Sequence, residues 1–287
     1  MRSLLFVPGD DERKIAKGLA SAADALILDL EDAVASPRKA AARELCAATL
    51  AAGARMKLFV RINALDTGAT LLDLAAVVKA RPFGVMLPKC RNGDDVRLVS
   101  HYLDALEARE GAPAGEIRIL PIVTETGGSL FGLGSYGSPP IPRLYGMLWG
   151  GEDLAADLGA IANRDEDGRY AAPYLMARAL CLFASAAASA IAVDAVYTNF
   201  RDAAGLRKEA VEALRSGFSA KAAIHPDQIA VINEAFTPSA ADVEAARRVI
   251  AAFEASPGAG VASLDGKMLD RPHYRAAQRV LARATDV

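Results

Sequence analysis

Two acidic residues directly follow buried, strand-like runs of this sequence. Glu125 ends the run IRILPIVTE at 117–125, and Asp153 follows the run LYGMLW at 144–149 after a pair of glycines. The carboxyl ends of parallel strands meet on one face of a sheet, where enzymes of this architecture keep their polar residues. Two carboxylates facing one site, together with water and substrate oxygens, suit Mg²⁺. Either acid alone is explained as a cap of the next helix, whereas the matched pair favours a metal site.

Other polar residues also stand near the ends of predicted strands, and one of them is an arginine in an apolar run. Arg61 lies within FVRIN at 59–63, where an arginine without an anionic partner would be costly. It is a suitable clamp for a carboxylate or an enolate oxygen. The alternative is a structural ion pair with Glu31 or Asp29. His225 is interpreted as a structural rim residue, and the remaining members of this polar ring are Asp32, Asn63, Lys89 and Asn199.

The strand-like runs that carry these residues alternate along the chain with helical patterns. The predicted helices lie at about 12–22, from Pro37 onward, and at 71–79, 94–109, 171–190 and 201–215. Eight strands, each followed by a helix, predict an α/β protein, a (β/α)8 TIM barrel over residues 1–235. An open doubly wound sheet is disfavoured because no glycine-rich nucleotide loop follows the first strand. The predicted strands are Ser3–Pro8, Ala25–Leu30, Lys57–Ile62, Gly84–Lys89, Ile117–Glu125, Leu144–Trp149, Ala195–Thr198 and Lys221–Ile224.

A barrel does not need the C-terminal segment 236–287 in order to close. The pattern predicts helices at 227–234 and 239–254, the second with Ser239 as its N-cap, and then a glycine-containing joint at 256–260 and a last helix to about Ala284. A hinged segment with its own polar cluster is typical of a lid over an active site. We therefore predict a C-terminal helical lid extension, although a helix that merely covers apolar surface fits the pattern equally well.

Composition narrows the class of protein and its partners. The chain has 287 residues, is 52% hydrophobic and carries a formal net charge of −2 with a pI near 6.0, which argues against a nucleic-acid partner. Its three cysteines have no metal or redox spacing. The apolar stretch 184–192 is too short to span a bilayer, and the first residues show no signal-peptide pattern. We expect a cytoplasmic protein without a membrane partner.

Six short motifs, taken in order, carry a family resemblance. Together they resemble the citrate lyase beta-subunit-like family, CoA-ester lyases similar to malyl-CoA and citramalyl-CoA lyases within the HpcH/HpaI aldolase group. The resemblance runs from residue 3 to about residue 280, and the ordered set is far more specific than any single motif. The motifs are SLLFVPG at 3–9, LDLEDAV at 28–34, VRIN at 60–63, MLPK at 86–89, GEDL at 151–154 and AIHP at 223–226.

The resemblance implies a Mg²⁺-dependent barrel, with Mn²⁺ as an alternative ion, that makes or breaks a carbon–carbon bond beside a CoA thioester. Its substrates would be compounds such as malyl-, citramalyl- or citryl-CoA, which are cleaved to acetyl-CoA and a 2-oxo acid. By resemblance, Glu125 and Asp153 hold the metal and Arg61 contacts the oxo acid and the enolate. The motif GKMLD at 266–270 matches the family's lid, so Asp270 is implied as the acid/base that reaches a neighbouring subunit of a homotrimer or hexamer.

The same resemblance places the CoA and substrate contacts. Phe6 and Lys17 match positions that contact CoA, and Glu31 and Asp32 belong to the substrate-binding region. One departure is the segment after the first glycine, where many relatives carry Ser-Arg-Pro and this chain carries Asp-Asp-Glu at 10–12. The basic residues are displaced to positions 13 and 14, so their part in phosphate binding is not implied.

Three alternatives remain open from the sequence. A metal-dependent aldolase for free 2-oxo acids would use a histidine near the end of strand two, where this chain has Glu31-Asp32-Ala33-Val34. A thioesterase that hydrolyses malyl-CoA fits the same scaffold. A non-catalytic subunit of a larger lyase complex is disfavoured, because both predicted metal acids, Arg61 and Asp270 are present.

Overall fold

Eight parallel strands form the centre of the molecule in the computed structural model, which describes residues 1–255 and 260–285. All neighbouring strands run in the same direction, in the order β5-β4-β3-β2-β1-β8-β7-β6. The strands are β1 (Ser3–Pro8), β2 (Ala25–Asp29), β3 (Lys57–Arg61), β4 (Gly84–Leu87), β5 (Arg118–Pro121), β6 (Gly146–Leu148), β7 (Ile191–Asp194) and β8 (Ala220–Ala223).

The sheet closes on itself between β5 and β6. Parallel bridges join Ile119 to Leu144 and Ile122 to Leu148, and the Val123 amide donates to the Leu148 carbonyl at 2.9 Å. Each strand is followed by helical structure on the outside. These two features confirm the prediction of a TIM-barrel fold.

The helices are longest on the outer wall and short beside the mouth. Helices α5 and α6, which follow the two strands that carry the predicted metal acids, have only four and six residues. The helices are α1 (Glu12–Leu19), α2 (Lys39–Ala52), α3 (Thr70–Val77), α4 (Gly93–Glu110), α5 (Gly127–Leu130), α6 (Glu152–Asp157), α7 (Ala172–Ala187), α8 (Ala203–Ser216), α9 (Asp227–Phe236), α10 (Ala240–Glu254) and α11 (Arg271–Thr285). None of the helices in the described part of the chain is long and apolar enough to cross a membrane.

Two layers of apolar side chains stabilise the barrel. Side chains alternate between the two faces of a strand, and here both faces are buried. Ile27 and Phe59 belong to a cluster inside the barrel, whereas their neighbours Leu26, Leu28 and Val60 pack in the layer between strands and helices. This explains why the strands appear in the sequence as continuous hydrophobic runs.

The predicted seventh strand at 195–198 is wrong, because β7 lies four residues earlier at Ile191–Asp194. Helix α7 ends at Ala187, before the predicted end at residue 190, and Ser189 takes a left-handed φ of 54°. The run IAVD then becomes the strand. Its aspartate, Asp194, is fully buried.

The C-terminal segment has a core of its own. Phe253, Ala262 and Leu269 form a small apolar cluster separate from both barrel clusters. The side chain of Ser239 caps α10 in a capping box, as the prediction of its N-cap requires. The predicted joint at 256–260 falls largely on residues 256–259, which lie outside the described residues.

An antiparallel hairpin, which the sequence analysis missed, precedes α11. Strands β9 (Val261–Leu264) and β10 (Lys267–Asp270) are joined by Asp265 and Gly266, both with positive φ. An Asp-Gly pair is the preferred centre of such a tight turn, so the signal was present. The division at residue 235 and the packing of this segment on a neighbouring subunit stay predictions.

Candidate active site

A cavity of about 320 Å³ opens at the carboxyl ends of the barrel strands. One side is acidic and the other is largely apolar. The acidic side carries Asp29, Glu125, Glu152 and Asp153, together with Arg61. The apolar side and the floor are formed by Phe6, Ile122, Leu148, Ala195, Val196 and Ile224.

Arg61 stands at the end of β3, and neighbouring carboxylates fix its orientation. Its Nε and Nη2 atoms donate to the two oxygens of Asp29 at 2.7 and 2.6 Å, and Nη1 lies 3.0 Å from Glu31 Oε2. Its guanidinium also lies 5.1 Å from the ring centre of Phe6. Burial acts to lower the pKa of Arg61, but the hydrogen bonds to Asp29 and the charges of Asp29, Glu31 and Glu125 together outweigh it, and the pKa is raised. The arginine is therefore a permanent, rigid cation in the cavity wall, and it makes the ion pair with Asp29 and Glu31 that was weighed as its alternative role.

Lys89 links the acids that follow β2 with the loops that follow β5 and β6. Its ammonium group contacts Glu31, lies 3.2 Å from Asp32 and 3.7 Å from Asp153. Its own φ of 50° turns the backbone so that its amide donates to Glu125 Oε2. Burial raises the pKa of Glu31, with Arg61 and Lys89 opposing it. One lysine thus contributes charge through its side chain and a hydrogen bond through its backbone.

Glu125 is the most unusual ionisable group of the cavity. It is 3% exposed, and no side-chain cation of the described residues forms an ion pair with it. Burial raises its pKa to about 8, and the nearby charges of Asp153 and Glu31 add to this effect. The raised pKa means that negative charge at Glu125 is under-compensated by the protein alone.

Gly150 allows the loop after β6 to lie against this carboxylate. A Cβ at Gly150 would lie 2.8 Å from Glu125 Cγ, a distance that side chains do not tolerate. The same loop is tied to the end of β5, because the Gly150 amide donates to Thr124 Oγ1 at 2.9 Å. Asp153 then enters from the first turn of α6 and remains partly exposed. The close approach of two strand ends is what brings the acids to one cavity.

The donor set fits a hard divalent cation. Magnesium is commonly held by one or two carboxylates, with water and substrate oxygens completing the shell. Glu125 and Asp153 supply that number, and the buried charge of Glu125 favours such an ion. No group of three or more His, Cys, Asp or Glu side chains that could hold a metal ion occurs among residues 1–255 and 260–285.

Of the residues predicted for the site, several do not line the cavity. Lys17 is exposed in the last turn of α1, and Asp270 is half-exposed at the end of β10. Asn199 lines a separate groove on the outer wall, because β7 ends earlier than predicted. Asn63 is buried against Asp73, to which its amide group donates at 2.6 Å.

Two further residues can be placed by their local contacts. His225 stacks on Phe200 with ring centres 4.8 Å apart, and its Nδ1 accepts from the Asp227 amide at 3.2 Å, in agreement with a structural role. Asp270 lies 2.5 Å from His273 Nδ1. The hydrogen bond with His273 lowers the pKa of Asp270, so the carboxylate is ionised at neutral pH.

Sequence reasoning missed the buried charges that support Trp149 in the cavity wall. The indole Nε1 donates to Asp194 Oδ1 at 2.7 Å, and Arg178 and Lys221 bond to the same carboxylate at 2.9 and 2.7 Å. The only sequence signal was an aspartate and a lysine inside otherwise apolar runs. Lys221 was placed at the start of the predicted eighth strand, and Asp194 fell outside the predicted seventh strand at 195–198.

Comparisons with known proteins identify a family and several relatives. A family model described as HpcH/HpaI aldolase/citrate lyase matches residues 2–226. A (3S)-malyl-CoA thioesterase of Cereibacter sphaeroides is 37% identical over 291 residues, covering 99% of this chain and 94% of the relative. The mitochondrial citramalyl-CoA lyase of Mus musculus is 34% identical over 300 residues, covering 100% of this chain and 86% of the relative.

Similarity to a solved structure extends over the whole chain. The crystal structure of CitE from Mycobacterium tuberculosis, in complex with magnesium, acetoacetate and coenzyme A, superposes with a TM-score of 0.78 at 34% sequence identity. The match covers 99% of this chain and 98% of that chain. The resemblance noted from the six sequence motifs is confirmed, and the chain belongs to the HpcH/HpaI aldolase/citrate lyase family.

Proposed function

We propose that this protein is a Mg²⁺-dependent carbon–carbon lyase that cleaves or forms a 3-hydroxyacyl-CoA thioester, such as malyl-, citramalyl- or citryl-CoA. Cleavage yields acetyl-CoA and a 2-oxo acid. The observation that carries the proposal is the buried Glu125 carboxyl group, which faces the cavity beside Asp153 and is raised in pKa to about 8. The magnesium, acetoacetate and coenzyme A bound by the M. tuberculosis relative support this chemistry.

Glu125 and Asp153 are the proposed ligands of Mg²⁺, or of Mn²⁺ in its place. A divalent cation would compensate the charge that burial leaves unbalanced at Glu125. When bound, the ion supplies positive charge that acidifies the substrate hydroxyl and stabilises the carbonyl oxygen of the 2-oxo acid. The Lys89 amide, which donates to Glu125 Oε2, would hold this carboxylate in a fixed orientation for the ion.

Arg61 is the proposed stabiliser of the enolate. During cleavage the bond between the carbinol and methylene carbons breaks, and its electron pair moves to the thioester as an enolate. The hydroxyl loses one proton and the methylene carbon gains one, so neither water nor a redox partner is consumed. Because Asp29 fixes the guanidinium, Arg61 meets the developing negative charge without reorganisation.

Asp270 is the proposed acid/base, contributed by a neighbouring subunit of a homotrimer or hexamer. It is half-exposed and ionised on a hairpin whose core is separate from that of the barrel. Phe6 lines the cavity, and with the exposed Lys17 it is proposed to contact CoA. Glu31 and Asp32 are proposed to orient the substrate through Lys89 and Arg61.

A panel of malyl-, citramalyl- and citryl-CoA tests the proposal directly. A lyase releases glyoxylate, pyruvate or oxaloacetate together with acetyl-CoA, loses activity on chelation and regains it when Mg²⁺ is added. Release of CoA and a hydroxy acid without any 2-oxo acid would instead support a thioesterase. That second candidate is favoured by the name of the C. sphaeroides relative. Absence of turnover with all three thioesters, in either direction, contradicts both.

A further inference from the structure

The Asp270 carboxylate is held by a histidine of its own chain. Asp270 ends β10 and α11 begins at the next residue, so His273 stands in the first turn of that helix. Its Nδ1 lies 2.5 Å from Asp270 Oδ1. Side chains three residues apart along a helix are neighbours. The local sequence at the end of the hairpin therefore brings the imidazole and the carboxylate together.

The proton of this contact belongs to the imidazole. The hydrogen bond from His273 is the main cause of the lowered pKa of Asp270, which is therefore ionised at neutral pH. A nitrogen lone pair so close to a carboxylate oxygen would be repelled, whereas an N–H group donates to it. The Asp270 amide also lies 3.3 Å from Nδ1, but one nitrogen cannot donate and accept at once, and the shorter contact decides.

The surroundings of the pair supply no competing charge among the described residues. Strand β9, which pairs with β10, has no titratable side chain between Val261 and Leu264. On α10, Arg248 is engaged with Asp265 at 2.6 Å. None of the flanking titratable side chains on β10 and α11 forms an ion pair or hydrogen bond with a described residue at this pair. They are Lys267, Arg271, Tyr274 and Arg275.

We propose that His273 is a positioning residue for Asp270, holding Oδ1 through its Nδ1–H group so that Oδ2 meets the reacting carbon of the substrate. The proposal rests on the proposed acid/base role of Asp270. During condensation a proton passes from the acetyl methyl carbon to Oδ2, and the electron pair of the C–H bond remains as the enolate. In cleavage that proton returns to carbon. The proton on Nδ1 is transferred in neither direction.

Two variants of His273 test the positioning role. We expect kcat to fall about 10- to 100-fold in His273→Ala with KM nearly unchanged, because the acid/base group remains but its alignment is lost. His273→Asn keeps an N–H donor close to the position of Nδ1 and should stay within about fivefold of wild type. Equal kcat values in the alanine and asparagine variants overturn the proposal.

The pH profile separates positioning from a purely structural role. Asp270 must be ionised to act as a base, and without His273 its pKa should rise toward the ordinary value. The acid limb of kcat/KM for condensation should therefore move to higher pH in His273→Ala. Loss of a structural contact alone would lower the melting temperature without moving this limb. An acid limb that stays where it is in wild type overturns the proposal.

His101→Ala is the matched control for these measurements. His101 lies 3.8 Å from Asp104 at the same three-residue spacing, on the exposed face of α4. Its replacement should leave both kcat and the pH profile as in wild type. A shift of the acid limb as large as that in His273→Ala would show that loss of any surface histidine moves it, which overturns the proposal.

A further comparison distinguishes this proposal from the function on which it rests. If Asp270→Asn is inactive while His273→Ala turns over normally, only the positioning role fails. If Asp270→Asn keeps wild-type turnover, the acid/base role and the positioning role both fail. Should no thioester be turned over, carbon-13 NMR titration of the Asp270 carboxyl group still decides. A pKa that rises in His273→Ala supports the contact, and an unchanged pKa overturns it.

Discussion

Two clusters of buried charge occur in different parts of the barrel, and they are built differently. The mouth cluster consists of Asp29, Glu31, Arg61, Lys89 and Glu125 at the carboxyl ends of the strands. The wall cluster consists of Trp149, Arg178, Asp194, Glu209 and Lys221, between the strands and the outer helices. Both combine buried carboxylates with basic side chains.

In the wall cluster the charges are matched. The Lys221 ammonium is fully buried and donates to Asp194 at 2.7 Å, to the Ala195 carbonyl at 2.7 Å and to Glu209 at 2.8 Å. Burial acts to raise the pKa of Asp194, but the charges of Lys221 and Arg178 outweigh it and the pKa is lowered. Such a cluster is stabilising only while every partner is present.

The mouth cluster is short of positive charge. Glu31 Oε2 accepts no hydrogen bond, although it lies 3.0 Å from Arg61 Nη1. Burial raises the pKa of both Glu31 and Glu125. The comparison teaches that the same kinds of residue form a closed ion-pair network where their charges cancel, and leave negative charge uncompensated where they do not. One further cation would complete the mouth cluster.

Removing the carboxylate of Glu125 should have the largest effect on function. We expect Glu125→Gln to reduce turnover about 1,000-fold or more, because charge stabilisation by a metal contributes several kcal/mol to catalysis. The response of activity to Mg²⁺ should be lost with it. Steady-state kinetics over a Mg²⁺ titration measure both effects.

Glu107→Gln is the matched control for that variant. Glu107 is also buried but satisfied, since it accepts from Arg143 Nη1 at 2.8 Å and from the Ile117 amide at 2.9 Å, and it does not line the cavity. The Glu107→Gln variant should be less stable than wild type, while its turnover and its response to Mg²⁺ remain normal. Wild-type turnover in Glu125→Gln would remove Glu125 from the proposed metal site.

Breaking the wall cluster should have the largest effect on stability. In Lys221→Met the carboxylate of Asp194 keeps Arg178 and Trp149 but loses its second cation, and Glu209 loses a buried partner. Removing one partner of a buried ion pair typically costs about 3–5 kcal/mol in the free energy of unfolding. Urea denaturation measures this loss.

The exposed pair of Arg207 with Glu234 provides the comparison for Lys221→Met. Arg207→Met removes the same kind of contact from the surface and should leave the free energy of unfolding nearly unchanged, because water solvates both groups after the change. Similar losses in the two variants would show that burial does not set the strength of the wall cluster.

The two clusters also differ in how far the sequence predicts them. Arg61, Glu125 and Asp153 were found because buried runs ended in polar residues, a pattern that a parallel barrel imposes locally. Asp194 was missed and β7 was misplaced, because a charged residue inside an apolar run can be predicted to be buried only when its ion-pair partner is known. That partner, Lys221, lies on the next strand, and pairing between strands leaves no mark on local periodicity.

Other features of the site were equally inaccessible to sequence patterns. The contact of the Lys89 amide with Glu125 depends on a left-handed backbone at a lysine, which no composition rule indicates. The hairpin before Asp270, by contrast, had a usable signal in its Asp-Gly turn. The catalytic and metal-binding roles of these residues stay predictions.

The pH dependence of stability should separate the clusters by sign. The pKa of Glu125 is about 8 in the folded protein and near 4.5 in the unfolded chain. The protonated Glu125 therefore contributes fully to the free energy of unfolding below pH 4.5. This contribution is lost as the pH rises toward 8, because the unfolded chain releases the Glu125 proton at a lower pH than the folded protein does. Asp194, with its lowered pKa, gives the opposite dependence, since its contribution is lost in acid.

We therefore compare the free energies of unfolding of the metal-free wild type and of Glu125→Gln. Between pH 5 and pH 8 the wild type should lose about 2–4 kcal/mol more than the variant, at roughly 1.4 kcal/mol per pKa unit. Denaturation with chelator at several pH values measures the difference. Saturating Mg²⁺ should reduce this difference between wild type and variant. Binding of Mg²⁺ to the wild type at pH 7 should also release protons. A constant difference across this range would contradict the raised pKa.

The smallest effect concerns the glycine that lets the β6 loop approach Glu125. In Gly150→Ala the new methyl group would lie 2.8 Å from Glu125 Cγ and 3.2 Å from Ile122 Cγ2, so the Glu125 side chain must move. We expect a roughly tenfold loss of Mg²⁺ affinity, the size typical of disturbed ligand orientation, with a change in the free energy of unfolding of only about 1 kcal/mol.

Gly128→Ala is the control, because its Cβ would meet nothing within 4 Å, and it should bind Mg²⁺ as wild type does. Equal Mg²⁺ affinities in wild type, Gly150→Ala and Gly128→Ala would show that the position of Glu125 is not critical for binding the ion. The mouth cluster would then attract a cation through its net negative charge rather than through the placement of one carboxylate.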